Sequence, residues 1–254
     1  MDKYYKKLLK KCGKASADYQ MIKANDHILV GLSGGIDSLI LTHLLYDLQK
    51  KAPFQFSISV VTFDPQFSGF NIDPLINYAK GQNWNHFVIN CDVKKALNDL
   101  NAKKRPCAMC SRIRRGRLQN LMDELKCNKL ALGHHLDDAA ASFLISLFRG
   151  QGVTTMGPNV PGLKGKYRII RPLIYATKEL ISTVAQNNYE FPKCGKCIYD
   201  KYLKHTGDRY WAEQLISQIE ESRIKNVRSA ILTSLKNVET DFLFDKKFLN
   251  LDNN

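Results

Sequence analysis

Three clusters in this chain have residue types and spacings that do chemistry. Cys107 and Cys110 form C-A-M-C, and Cys194 and Cys197 form C-G-K-C. Two such pairs supply the four thiolates of a structural zinc site, and clustered thiolates equally suit an iron–sulfur cluster. Chemistry alone does not separate the two. The second cluster, SGGIDS (33–38), is a glycine pair flanked by hydroxyls and one carboxylate. Glycines let a backbone approach an anion closely. A helix starting there adds unpaired N–H groups and the positive end of its dipole. Ser33 and Ser38 add donors, and Asp37 suits a magnesium ion held by phosphate oxygens. The plainer reading is a tight strand-to-helix turn with a serine N-cap. The loop has neither Walker A nor GxGxxG spacing. The third cluster is His134, His135, Asp137 and Asp138. It reads as a helix start whose acids complement the dipole. A four-ligand metal site is disfavoured, because adjacent residues seldom point the same way.

Basic residues surround these clusters. Arg112, Arg114, Arg115 and Arg117 follow the first cysteine pair. On a helix Arg114 and Arg117 share a face with Arg115 nearby. They can neutralise developing phosphate charge or hold nucleic-acid phosphates. A solvated basic face is the alternative, above all for Arg117. Arg171 and Lys178 are weaker candidates for the same work. Lys10 and Lys11 belong to a lysine-rich N-terminal stretch. Over 254 residues, 38 Lys and Arg against 24 Asp and Glu leave a net charge of +14, which points to a polyanionic partner. Hydrophobic residues at 44% and charged residues at 24% exclude a disordered, collagen-like or coiled-coil chain. No apolar run approaches the roughly 18 residues that span a bilayer. The first residues lack the apolar region of a signal peptide. The expectation is a cytoplasmic protein with no membrane partner. Seven cysteines, in a chain too large to need disulfide staples, fit a reducing compartment. Cys91 and Cys127 read as buried structural residues.

The elements that must position these clusters follow from periodicity. Residues 1–25 read as a basic amphipathic helix with Tyr4, Leu8, Leu9 and Cys12 on its apolar side. Strands are expected at 27–33, 56–63, 86–90, 129–133 and 167–174, the last weakened by Pro172. Helices are expected at 39–50, 73–80, 111–126, 137–150 and 177–188, with a helical stretch at 209–237. PCAMC (106–110) ends a polar loop, and the glycines and prolines of 151–165 make another. Strands alternating with helices predict an α/β fold. That is a doubly wound, mostly parallel sheet with a basic N-terminal helix and a helical C-terminal segment. The divisions are 1–25, 26–190 and 191–254. SGGIDS and the His/Asp cluster each follow a strand, at the sheet edge where open α/β folds bind ligands.

SGGIDS resembles the SGGxDS motif of the PP-loop ATP pyrophosphatases, of the adenine nucleotide alpha-hydrolase type. These proteins split ATP into AMP and pyrophosphate and adenylate an oxygen. The resemblance implies ATP and magnesium, with Ser33, Gly34, Gly35, Asp37 and Ser38 around the pyrophosphate. RPCAMCSRIRRGRL (105–118), LGHHLDDAAASFLISLFRG (132–150), RIIRPLIY (168–175), FPKCGKC (191–197) and LTSLKNVETDFLFDKKF (232–248) then follow in the order and spacing of the tRNA 2-thiocytidine synthetase family. The match runs from about residue 26 to about 248. It implies a [4Fe–4S] cluster on Cys107, Cys110 and Cys194, with Cys197 as the alternative third ligand. One iron is left open to carry sulfur. Lys193 and Lys196 depart from the family, which usually has proline and an apolar residue there. The resemblance also implies that Asp137 does acid–base work or binds magnesium, with Asp138 second. His134 faces ATP, and Arg114 is a catalytic cation one helical turn after a cluster ligand. The substrate is cytidine 32 of tRNA, held by Arg112, Arg115, Arg117, Lys10 and Lys11. Sulfur comes ultimately from a cysteine desulfurase, and the protein is a homodimer. Two alternatives are a tRNA uridine 2-thiolase of the same superfamily and a zinc-stabilised RNA-binding module without catalysis. The former usually carries zinc-finger CxxC pairs at its ends, which this sequence lacks. ATP cleavage would exclude the latter.

Overall fold

The computed structural model describes residues 2–99, 106–195 and 207–248. Its centre is a six-stranded sheet in the order β3-β2-β1-β4-β6-β5. The strands are β1 (His27–Gly31), β2 (Ser57–Asp64), β3 (His86–Asn90), β4 (Lys129–Ala131), β5 (Asn159–Pro161) and β6 (Arg168–Ile170). Ile28, Leu29 and Val30 of β1 are all fully buried, as a parallel strand covered on both faces requires. All pairings are parallel except that of β5 with β6. The expected doubly wound sheet is therefore present. From β1 the chain winds to β2 on one side and, later, to β4 on the other. The carboxyl ends of β1 and β4 thus flank the topological switch point, where such sheets form a crevice.

Helix α1 (Lys3–Asp18) buries Tyr5, Leu8, Leu9, Cys12 and Ala15 and packs on α2 (Ile36–Lys51) and α7 (Lys178–Asn188). Tyr4 is 38% exposed, which corrects its assignment to the apolar side. The spacing 5-8-9-12-15 keeps the stripe on one helical face, and Tyr5 is its aromatic member. The Tyr5 hydroxyl donates to Asp47 of α2 at 2.6 Å.

Helix α3 (Asp73–Gly81) starts at the Asp-Pro pair as the sequence predicts. Helix α4 (Val93–Asp99) replaces part of the expected polar loop. Asp92 accepts the Lys95 N–H at 2.9 Å, and Val93 is fully buried, which together start the helix. Helix α5 (Pro106–Glu124) begins earlier than expected. Cys107 and Cys110 therefore stand on its first turns, one turn apart, not in a loop. Proline suits a first helical position, where its missing N–H costs nothing. Along α5, Leu118 and Met122 pack under the sheet with Leu29, Val61 and Leu130. Met109, Cys110 and Ile113 pack with Phe67, Phe70 and Val93.

Helix α6 (Leu136–Phe148) opens with Asp137 and Asp138. The stretch 151–165 contains β5 and a 3₁₀ turn at Leu163–Gly165 where an uninterrupted loop is expected. The stretch 209–237 divides into α8 (Asp208–Ser222) and α9 (Val227–Ser234) at Asn226, which adopts φ 62°. Both helices pack on α6 through Ala140, Ile216 and Val227. No helix among the described residues is long and apolar enough to cross a membrane.

Candidate active site

The glycine loop joins β1 to α2 at the switch point. Gly34 has φ +79°, a conformation L side chains rarely adopt, and Gly35 is the N-cap of α2. The serine N-cap reading is thus not what forms. Ser38 instead is buried and ties the loop down. Its hydroxyl donates to the Gly35 carbonyl at 2.9 Å, accepts the Ser33 N–H at 3.1 Å and lies 3.1 Å from the Ser33 hydroxyl. The first N–H groups of α2 have no intrahelical partner, as at any helix start. Asp37 meets the Lys178 ammonium, with both carboxylate oxygens at 2.6 Å.

The second wall is the turn after β4. A Cβ on Gly133 would lie 3.1 Å from the Asp37 carbonyl carbon and the Ser38 nitrogen. Glycine there lets the His-His-Asp-Asp segment lie directly on the glycine loop. His135 is the N-cap of α6, and its N–H donates to Asp138 at 2.8 Å. Its buried ring lies 3.3 Å from Asp137 and 3.4 Å from Asp138. Asp137 also accepts the Lys178 N–H at 2.8 Å and pairs with Arg228 of α9 at 2.9 Å. Burial pushes the Asp137 carboxyl up, but contact with His135, the Lys178 N–H and the Arg228 charge outweigh it, so its pKa lies below the ordinary value. Lys178 therefore links the two walls, its ammonium on Asp37 and its N–H on Asp137. Asp138, almost wholly buried, pairs with Arg209 of α8. Glu220 holds Arg228 from its other side.

Sequence reasoning places Asp137, Asp138, His134 and SGGIDS near one another, and the fold brings them together. It underrates Lys178 and misses Arg209 and Arg228. No local signal marks those arginines, because their partners lie far away in the chain. Arg112, Arg114, Arg115 and Arg117 are all exposed on α5, and the charge of Arg114 acts on His134. On α1, Lys10 is exposed, while the Lys11 ammonium donates to the Tyr175 carbonyl at 2.8 Å.

Cys194 lies against the glycine loop. A Cβ on Gly34 would fall 3.1 Å from its Sγ. Burial pushes its thiol up, which a bound cation would reverse. Gly195 packs backbone to backbone on residues 69–71. Phe67 and Phe70 of that same turn pack with Cys110. Both cysteine segments thus reach one turn after β2. No three His, Cys, Asp or Glu side chains among the described residues are grouped to hold a single metal ion. Thiolates gathered at one turn suit either an iron–sulfur cluster or a zinc ion. Cys197 lies outside the described residues. Cys91 and Cys127 are buried as expected, and burial pushes the Cys127 thiol up to about 11.

Two histidines make stability pH-dependent. Burial holds His43, packed among Tyr78, Trp84, Tyr189 and Phe191, down to about 4. His134 is also held to about 4, by burial first and then by the charges of Arg171, Arg209, His135 and Arg114. Between the ordinary value of 6.5 and about 4, the unfolded chain binds these protons and the folded chain does not. Stability therefore falls as pH drops through that window. Unfolding near pH 5 should take up about two protons from these rings, read from the pH dependence of the denaturant midpoint. A midpoint constant from pH 6.5 to 4.5 would contradict this. The depressed Asp137 carboxyl adds a further loss only below its ordinary 3.8.

Sheet order and glycine loop together define a PP-loop domain, and the model of that family matches residues 3–192. A protein named tRNA-cytidine(32) 2-sulfurtransferase in Geobacter sulfurreducens is 34% identical over 248 residues, 95% of this chain and 93% of its own. One of the same name in Syntrophotalea carbinolica is 32% identical over 248 residues, 96% of this chain and 93% of its own. The chain belongs to the tRNA-cytidine(32) 2-sulfurtransferase family. Among solved structures it shares its fold with the U34-tRNA thiolase NcsA from Methanococcus maripaludis, solved with its [4Fe–4S] cluster. That likeness has a TM-score of 0.67 at 20% identity and covers 92% of this chain and 78% of that one. An NH3-dependent NAD synthetase from Campylobacter jejuni gives a TM-score of 0.51 at 16% identity, covering 93% of each chain.

Proposed function

We infer that the chain is an ATP-dependent enzyme that replaces the C2 oxygen of cytidine 32 in tRNA by sulfur. The observation that carries this reading is the seat of Cys194 on Gly34. A thiol against the loop that would bind ATP supports activation and sulfur transfer sharing one crevice. In this reading the backbone and hydroxyls of Ser33, Gly34, Gly35 and Ser38 hold the pyrophosphate portion of ATP. Asp37 holds magnesium once Lys178 turns to phosphate oxygens; a carboxylate is the hard donor that ion prefers. The cytidine C2 oxygen attacks the α-phosphorus and pyrophosphate leaves. Asp137, an anion at neutral pH, takes the proton of the hydrosulfide-level sulfur that attacks C2, or shares the magnesium. Arg114 neutralises charge growing on the phosphate. Sulfur then attacks C2, and AMP departs with the former base oxygen. Cys107, Cys110 and Cys194 would hold a [4Fe–4S] cluster, which supplies the activated sulfur. The target base must leave its stack to enter the crevice.

Arg112, Arg115, Arg117 and Lys10 are the exposed cations proposed to meet tRNA phosphates, and the +14 net charge supports that partner. Lys11 joins them once released from Tyr175. A cysteine desulfurase as sulfur source, a second copy of the chain and a cytoplasmic site complete the reading. The test is anaerobic purification with iron, acid-labile sulfide and zinc quantified. About four irons and four sulfides per chain, lost in Cys107→Ala, are expected. Stoichiometric zinc without labile sulfide would remove the cluster, leaving an ATP-dependent tRNA modifier with a structural metal.

A further inference from the structure

One buried charge beside this crevice lacks a counter-charge. Arg171, in the turn after β6, is 9% exposed. Its guanidinium donates to the Gly157 carbonyl at 2.5 Å, and its Nε has no hydrogen-bond partner. It forms no ion pair with a carboxylate among the described residues. A buried cation in that state is costly unless an anion joins it. His134 has the matching deficiency, a buried Nδ1 without a partner. The charges of Arg171, Arg209 and Arg114 all act on this ring. They come from three separate places: the turn after β6, the start of α8, and the exposed face of α5. Asp138 balances Arg209. No carboxylate among the described residues pairs with Arg114. Strand register places Arg171 beside the turn that carries His134: Ile170 pairs with Ala131, and the Leu132 N–H donates to the Ile170 carbonyl at 3.0 Å, while Arg209 reaches the same turn through Asp138.

We propose that Arg171, Arg114 and Arg209 hold a phosphate group beside His134, at a position additional to the glycine loop. Planar guanidiniums match phosphate oxygens with paired donors. A neutral imidazole with its proton on Nδ1 adds one donor and no repulsion for the cations. The phosphate belongs either to the RNA backbone flanking the target base or to the nucleotide. This deepens the tRNA reading and rests on it only for naming the RNA source.

The test measures affinity for inorganic pyrophosphate, ATP and an anticodon stem-loop RNA. The proteins are wild type, Arg171→Gln, Arg171→Lys and Arg114→Gln, each checked for folding by thermal melting. Arg171→Gln and Arg114→Gln should each weaken at least one ligand about tenfold or more, as loss of a charge-assisted contact does. Arg171→Lys should retain more binding than Arg171→Gln. Loss on RNA alone, with the salt slope reduced by about one per charge removed, assigns the phosphate to the RNA backbone. Loss on pyrophosphate or ATP assigns it to the nucleotide. Should Arg171→Gln fail to fold, Arg171→Lys decides: it keeps the charge, loses the paired donors, and should still weaken the same ligand. Unchanged affinity for all three ligands in the folded variants overturns the site. Wild-type protein that binds no RNA, but binds pyrophosphate in a way that Arg171→Gln weakens, would instead remove the tRNA reading and leave the pocket standing.

Discussion

Gly195→Ala is expected to separate sulfur transfer from ATP binding. A Cβ at that position would lie 2.6 Å from the Gly69 oxygen and the Phe70 Cα, and 2.7 Å from the Asn71 nitrogen. All three are backbone atoms, so no side chain can swing aside to make room. The Gly195 N–H also donates to the Asn71 carbonyl at 3.3 Å, so the segment cannot lift away without losing that bond. The strain must then move Cys194 off the glycine loop. Displacement of a reacting group by about 1 Å costs on the order of a hundredfold in rate. Thiolation should fall by about that factor, while ATP affinity stays within a few-fold, because the loop's Ser33–Ser38 bonds do not involve residue 195. Single-turnover thiolation beside equilibrium ATP binding measures both. Equal losses in the two would mean that the cysteine turn and the glycine loop form a single unit.

Asp137→Asn should reduce turnover by about a hundred- to ten-thousandfold, the range for removing a group that handles a proton. The substitution keeps size and leaves an amide oxygen to accept the Lys178 N–H. Arg228 keeps Glu220 as a partner, so no buried cation is stranded. The fold should therefore survive, and thermal melting checks that. The direction of the Asp137 shift decides its role. A carboxyl held below its ordinary value is ionised at neutral pH. In the proposed reaction it would then serve as a base or a magnesium ligand, not as an acid waiting with a proton. A variant that keeps more than a tenth of wild-type turnover would exclude Asp137 from the chemistry.

What could be read from the sequence divides along physical lines. β3 lies at the residues its β-branched run predicts, and α3 starts at its Asp-Pro pair, because those signals are local. The glycine loop and the His-His-Asp-Asp turn are legible as motifs, and the parallel sheet guarantees that both end at one edge. Tyr4 and Tyr5 are adjacent and chemically alike, so only the phase of the α1 stripe separates them. Pro106 reads equally as the end of a loop and the first residue of a helix. Its neighbours decide for the helix by packing Cys110 and Ile113, both partly buried, beside Phe67. β5 is three residues long within a glycine- and proline-rich stretch, and among the described residues it pairs with β6 alone. Arg209 and Arg228 are illegible for the opposite reason. Nothing near them in sequence distinguishes them from other arginines, and only tertiary packing brings them to Asp138 and Asp137.

The dependence of Asp137 on Arg228 also sets an order on the protein's birth. Domains fold as they emerge from the ribosome, amino end first. The glycine loop, the sheet and the acidic turn all leave the tunnel before α9 exists. Until α9 docks on α6, Asp137 has its His135 and Lys178 contacts but no arginine, and Asp138 waits likewise for α8. A chain interrupted short of α8 thus carries much of the nucleotide crevice without the cations that settle its acids. The finished charge balance arrives with the last helices, so an incomplete chain does not hold the acids in the arrangement of the mature enzyme.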